Sequence, residues 1–205
     1  MGLWGRAVVP RLTNVLLAPK RTGEIRERVC AGLSGQVVEI GFGSGHNTAY
    51  YPAAVSEVLA VEPSDVGWRL AADRVAASTA PVRRVGLDGQ SLPLPDAGAD
   101  CALSTWTVCT IPDAAQALAE VHRVLRPGGT LHFVEHGRAP DASVHAWQQR
   151  LDPIQKRVAG GCHLSRPIAE LLTAAGFTLT KLDTYYAPKE PKAFGYFYEG
   201  VATRT

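Results

Sequence analysis

The 205-residue sequence has no run of five or six like charges, no internal repeat, no low-complexity tract and no uninterrupted apolar segment of membrane-spanning length. Its 21 basic and 19 acidic residues are spread along the chain and leave a formal net charge of +2, so no basic footprint for a nucleic acid is present and none is expected as a partner. The four cysteines, Cys30, Cys101, Cys109 and Cys162, lack CxxC pairing, and no HExxH occurs. A chain of this size builds its core without disulfides, so reduced thiols and a cytoplasmic location are expected. A metal grouping of His132, His136, Cys162 and His163 has no supporting spacing, His132 falling inside a strand, and no metal is expected. The apolar stretch near the N-terminus is broken by Arg6, Pro10, Arg11 and Asn14, so neither a signal-peptide core nor a stable membrane anchor is expected. The start MGLWGR also lacks the Ser or Thr of a myristoylation signal. A helix over Leu3 to Leu17 is expected to pack against the body of the protein, with a helix lying on a membrane surface as the alternative.

What is present is enough for a full core: 46% hydrophobic and 20% charged residues, in a length that suits one domain spanning 1–205. Within it we distinguish a helical segment (1–35), a central core (36–135) and a final segment (136–205). From Gln36 onward short β-rich runs alternate with helical stretches, the pattern of an α/β protein with a mostly parallel sheet and helices on both faces. Five strands are expected at Gln36 to Ile40, Glu57 to Val61, Val82 to Leu87, Asp100 to Thr105 and Thr130 to Glu135, and two more at Thr178 to Asp183 and Phe194 to Ala202, seven in all. Asp65 and Asp113 are expected to cap helices over Val66 to Ala77 and Ala114 to Leu125, the second stopped by Arg126-Pro127-Gly128-Gly129. His136 to Leu164 breaks the rhythm, after which Ser165 and Pro167 open a helix that Gly176 closes.

Gly41, Gly43 and Gly45 follow the first strand and are expected to lead into a helix, in a turn that lets backbone approach a ligand closely. The spacing is GxGxG. A dinucleotide-binding turn would need a third glycine at position 46, which holds His46, and Glu39 two residues before Gly41 opposes a diphosphate and suits a cationic ligand. Glu62 ends the second strand and Asp88 the third, so three carboxylates stand at consecutive strand ends on the crevice side of the sheet. Such a carboxylate can accept both hydroxyls of a ribose, and the next can read an adenine amino group.

The ordered set EIGFGSG, VEPS, LDGQSLPLPD and EVHRVLRPGG resembles the class I S-adenosylmethionine-dependent methyltransferases of the type 11 group over about Gln36 to Glu135. The resemblance implies a Rossmann-like fold with S-adenosylmethionine as cofactor. It implies that Glu39 and Gly41, Gly43 and Gly45, with Asn47 beside them, face the methionine part. Glu62 and Pro63 would face the ribose, Asp88, Gly89 and Gln90 the adenine, and Thr105 and Trp106 the transferred methyl. A narrower likeness, carried by STWTVCTI, FVEHG, WQQRLDP, GGCHLSRP and GYFYEGVA, is to the small methyltransferase-like proteins acting on alkyl thiols and hydrogen sulfide. Those animal proteins carry a hydrophobic N-terminal anchor, which is not expected here.

Methyl transfer from a sulfonium is an in-line displacement that mainly needs alignment and exclusion of water. A thiol acceptor needs only help in losing its proton, for which His136 is the catalytic candidate. Candidate acceptor contacts are Cys109, Trp147, His163 and Tyr185, with Trp106 and Tyr186. The aromatics read equally as core, and Cys109 as a small buried hydrophobe. The expected partner is a small-molecule acceptor, with O-, N- or C-methylation of a phenol- or quinone-type molecule as alternatives, and a non-catalytic adenosine-binding module as a rival of another class. A nicotinamide oxidoreductase is disfavoured by the GxGxG spacing.

Overall fold

A computed structural model describes residues 4–205. A seven-stranded sheet forms its centre, in the order β3-β2-β1-β4-β5-β7-β6. β1 (Gly35–Ile40), β2 (Val55–Val61), β3 (Val82–Gly86), β4 (Ala99–Thr105) and β5 (Leu125–His136) run parallel, while β7 (Tyr196–Arg204) lies antiparallel between β5 and β6 (Phe177–Tyr186). The expected mostly parallel α/β architecture is therefore present, with strand ends within three residues of expectation except that β5 begins at Leu125 and takes in Arg126–Gly129, expected as a turn, at a shift in its register with β4.

The central strands read as nearly continuous apolar runs because helices cover both faces. Val38, Ile40 and Phe133 face a layer with Leu118 and Val121 of α5 (Ala114–Val124) and Ile168 and Leu172 of α7 (Ile168–Ala174). Their neighbours Val37, Leu103 and Val134 point the other way, into a layer with Val29 of α2 (Pro19–Cys30) and Leu164. Each such buried side chain contributes roughly 1.5–3 kcal/mol. Asp113 caps α5 as expected, accepting from Gln116 N at 2.9 Å.

Four local expectations are corrected. No helix follows the glycine turn, only a single 3₁₀ turn at Thr48–Tyr50, because Pro52 and the start of β2 at Val55 leave too few residues. The helix expected over Val66 to Ala77 is two short pieces, α3 (Asp65–Leu70) and α4 (Ala72–Ala76), and its cap is Ser64, whose hydroxyl accepts from Gly67 N at 3.0 Å. The segment after His136 contains a 17-residue helix, α6 (Ala142–Val158), which runs through Pro153. Near the N-terminus a π turn (Trp4–Val8) leads into α1 (Val9–Leu16), which buries none of its residues. It rests on the body through the Asn14 carbonyl, 3.0 Å from His46 Nε2, and leaves Leu12, Val15 and Leu16 exposed. Leu3 lies outside the described residues, among which no helix is long and apolar enough to cross a membrane.

The strand order reverses between β1 and β4, the switch point where open α/β sheets form a crevice beyond the carboxyl ends of their strands. The glycine turn after β1 and the loop after β4 meet there. A Cβ on Gly41 would lie 2.1 Å from Thr107 Oγ1, so this approach requires glycine, and φ is +68°.

Candidate active site

Glu62 anchors the glycine turn to the end of β2. Its carboxylate accepts Gly43 N at 2.7 Å and Ser64 N at 2.6 Å, so two predicted residues from separate motifs are joined directly. Burial pushes this carboxyl above the usual range, and the two backbone bonds oppose that rise. Each carboxylate oxygen keeps a lone-pair site for a further donor. Pro63 and Asp88 are exposed, with Asp88 accepting from the backbone and side-chain nitrogens of Gln90 at 2.9 and 3.0 Å. Gln90 in turn accepts Asp113 N at 2.9 Å, and a Cβ on Gly89 would meet Ile111, so this loop is tied to the start of α5.

At the other end lies a buried polar network. Glu39 accepts Tyr51 Oη at 2.5 Å and Asn47 Nδ2 at 2.9 Å, and the same Asn47 nitrogen donates to Thr105 Oγ1 at 3.1 Å. Arg26 of α2 closes the network: its Nη1 reaches Asn47 Oδ1 at 2.6 Å, its Nε reaches Thr22 Oγ1 at 2.9 Å and its Nη2 the Leu17 carbonyl at 3.1 Å. The guanidinium also lies 5.0 Å from the Trp106 ring centroid. Burial pushes the Glu39 carboxyl up to about 7, against the pull of the Tyr51 and Asn47 bonds. A cationic group arriving there would restore the carboxylate. Sequence reasoning found Glu39, Asn47, Thr105 and Trp106 but missed Arg26 and Tyr51. Arg26 lies outside every motif, on a helix that only the tertiary fold brings to the crevice.

The loop after β4 is held from beneath by Glu135, a residue of β5 with no solvent exposure. Its carboxylate accepts Ser104 Oγ at 2.6 Å and three successive backbone donors, Thr107 N at 3.1 Å, Val108 N at 3.0 Å and Cys109 N at 3.0 Å. Arg166 fixes the far side of the same loop through the carbonyls of Val108 and Ile111. Trp106 takes a left-handed φ of +52°, unusual for an aromatic residue, and its buried indole Nε1 has no partner among the described residues. An orphaned buried donor beside the Arg26 network fits a crevice built to receive a polar ligand.

Cys109, His136 and Cys162 come together at the acceptor end. Cys109 Sγ lies 3.7 Å from His136 Nδ1, and Cys162 Sγ lies 3.8 Å from each of the other two. Burial raises the Cys109 thiol, while its hydrogen bond to Cys162 and the nearby His136 hold the Cys162 thiol down. His163 N donates to the Cys109 carbonyl at 2.8 Å, which ties the loop after α6 to the loop after β4. Tyr185 meets Phe197 edge-on, as do His136 and Trp106.

Trp147 stands apart from this group, 57% exposed on α6 with the Arg150 guanidinium over its ring. His132 is elsewhere too, its Nδ1 3.0 Å from the Val29 carbonyl. A groove of about 1230 Å³ between α2 and β6, lined by Arg28, Tyr50, Tyr185 and Glu199, reaches the outer side of Tyr185 and excludes the glycine turn.

A mostly parallel sheet with its switch point at β1 and β4, a GxGxG turn, and carboxylates at the ends of β1 and β2 define a class I S-adenosylmethionine-dependent methyltransferase. The family described as a methyltransferase domain matches residues 38–133. The chain is 31% identical over 177 residues to thiol S-methyltransferase TMT1A of Homo sapiens, covering 81% of this chain and 72% of that protein. It is 31% identical over 158 residues to thiol S-methyltransferase TMT1B of Rattus norvegicus, covering 74% of this chain and 64% of that protein, a little under two thirds of its length. Among solved structures, a SAM-dependent methyltransferase from Thermotoga maritima superposes over the whole of both chains with a TM-score of 0.71 at 22% identity, a likeness of fold. The chain belongs to this methyltransferase family, and S-adenosylmethionine is its cofactor.

Proposed function

We propose that this enzyme transfers a methyl group to the sulfur of a small thiol or of sulfide. The observation that carries this is the extent of the likeness to TMT1A: 177 residues, reaching past the cofactor core of residues 38–133 into the acceptor side. When bound, the cofactor supplies an electrophilic methyl on a sulfonium. Glu39, Asn47 and the turn at Gly41, Gly43 and Gly45 hold its amino-acid end, with Arg26 ordering them. Glu62, beside Pro63, takes the ribose, and Asp88, Gly89 and Gln90 border the adenine. Thr105 and Trp106 lie toward the methyl, and Cys109, His136, His163 and Tyr185 toward the acceptor, which approaches by the groove at Tyr185.

A thiol reading also agrees with the chemistry of the crevice. Among the described residues no histidine pairs with a carboxylate, as a base for an alcohol or phenol would want, and His136 faces sulfur atoms instead. All four cysteines are free and buried, which suits a reducing, cytoplasmic setting. The test is a screen of small thiols, sulfide, phenols and amines, with S-adenosylhomocysteine release as readout. Turnover of thiols or sulfide is expected. Robust turnover of a phenol or amine, with none for any thiol, would overturn the acceptor assignment.

A further inference from the structure

The triangle formed by Cys109 Sγ, His136 Nδ1 and Cys162 Sγ has sides of 3.7, 3.8 and 3.8 Å. The sulfur pair is far longer than a disulfide of about 2.05 Å. The sides match a different object. With Zn–S near 2.3 Å and Zn–N at 2.0–2.1 Å, tetrahedral angles put donor atoms about 3.5 to 3.8 Å apart.

The three donors are also held in place before any ion arrives. Cys109 is pinned by Glu135 through its own N–H, and the backbone bond from His163 ties the Cys162 loop to Cys109. His136 sits opposite Phe197 in the β5–β7 ladder, with its ring edge-on to the Phe197 ring at 5.0 Å. Both cysteines are buried and His136 is the half-buried member, so the cluster is closed on its sulfur side and reached past the imidazole. The three residues come from STWTVCTI, FVEHG and GGCHLSRP, three of the stretches that set the acceptor side apart from the general cofactor core.

We propose that Cys109, His136 and Cys162 bind a zinc ion through three protein donors and leave its fourth position to the sulfur of the acceptor. This rests on the thiol reading above. Two thiolates and a neutral imidazole give an uncharged zinc centre, and two cysteines with one histidine is a donor set that catalytic zinc sites use with one position open. Soft thiolate donors select zinc over magnesium or calcium. A thiol that coordinates the ion loses its proton to water. The sulfur lone pair then forms the new bond to the methyl carbon. The bond from that carbon to the sulfonium breaks, its electron pair staying with the cofactor sulfur, and the products are a thioether and S-adenosylhomocysteine. The neutral thioether is a weaker ligand than a thiolate and leaves. On this account the crevice needs no carboxylate–histidine base, because the ion supplies the deprotonation.

The test uses the full chain, purified under reducing conditions, stripped with a chelator and titrated with Zn²⁺ against a chromophoric competitor, and in parallel with Co²⁺. One equivalent of zinc is expected. The cobalt form should show a thiolate-to-metal charge-transfer band and tetrahedral visible bands that change when a small thiol is added. Cys162→Ser and His136→Ala should each weaken zinc binding by more than the 10- to 100-fold, roughly, that loss of a group merely orienting a ligand costs. Their affinity for S-adenosylhomocysteine, measured by calorimetry, should stay at the wild-type value, which shows that the variants are folded. Reduced protein that binds S-adenosylhomocysteine but takes up no stoichiometric zinc overturns the site. A cobalt spectrum indifferent to thiols overturns the assignment of the fourth position. Undiminished thiol methylation by the stripped enzyme overturns the role of zinc while leaving the thiol reading intact. A zinc-loaded enzyme that methylates no thiol overturns the thiol reading and leaves the metal site standing.

Discussion

Arg26 Nη1 donates to Asn47 Oδ1 at 2.6 Å, a bond that fastens helix α2 to the exit of the glycine turn. The guanidinium also holds Thr22 of the same helix and the Leu17 carbonyl just before it, so one side chain ties the start of α2 to the glycine turn. Arg26→Ala is expected to strand several buried acceptors and to lower stability by about 1–3 kcal/mol. S-adenosylhomocysteine binding should weaken as well. Denaturant unfolding and calorimetry check the two effects, and wild-type values in both would remove Arg26 from the site.

The raised Glu39 carboxyl is expected to make cofactor binding depend on pH. Its ordinary value of 4.5 applies to the unfolded chain and about 7 to the fold, so its contribution to the stability of the unliganded protein is complete below 4.5 and is lost as pH rises through 7. A cofactor bearing an ammonium group prefers the carboxylate. Affinity should therefore rise between those two values and level off above 7, with proton release on binding. Calorimetry near about pH 6 in two buffers of different ionisation enthalpy measures that proton. Glu39→Gln should abolish it, and equal proton release from the variant would place the titration elsewhere.

Glu62 is expected to accept ribose hydroxyls while keeping Gly43 and Ser64 in place. Glu62→Ala should weaken cofactor binding by about 2 kcal/mol or more, the scale of two charge-assisted bonds. An unchanged dissociation constant in a folded variant would mean that the ribose is held by other groups.

Glu135→Gln tests the support of the β4 loop. The amide oxygen can keep the three donors that share one carboxylate oxygen, but its NH₂ then opposes the Cys109 N–H. A loss of about 1–3 kcal/mol is expected. Hydrogen exchange at the amides of residues 107–109 should accelerate more than in the core strands, and equal protection in the variant would contradict the clamp.

The parallel strands were legible because each is a short β-rich run whose neighbours Val37 and Val38, or Phe133 and Val134, fill opposite layers. Glu39, Glu62 and the glycines were legible because their positions follow from those strand ends. Helix α6 was not, since Pro153 and a mixed polar surface hide its period. The cysteine–histidine triangle joins positions 27 and 53 residues apart, a juxtaposition that no local spacing announces. Arg26 enters from a helix before the first strand, and only its burial against Asn47 and Trp106 marks it.

Glu135 grips the loop after β4 by its backbone, not by its side chains. The path of that loop is thereby uncoupled from the identity of the residues it displays. With Arg166 holding the Val108 and Ile111 carbonyls from the other side, the main chain of this loop is fixed by two buried charged groups, so side chains such as Trp106 and Cys109 can be exchanged while the backbone keeps its course.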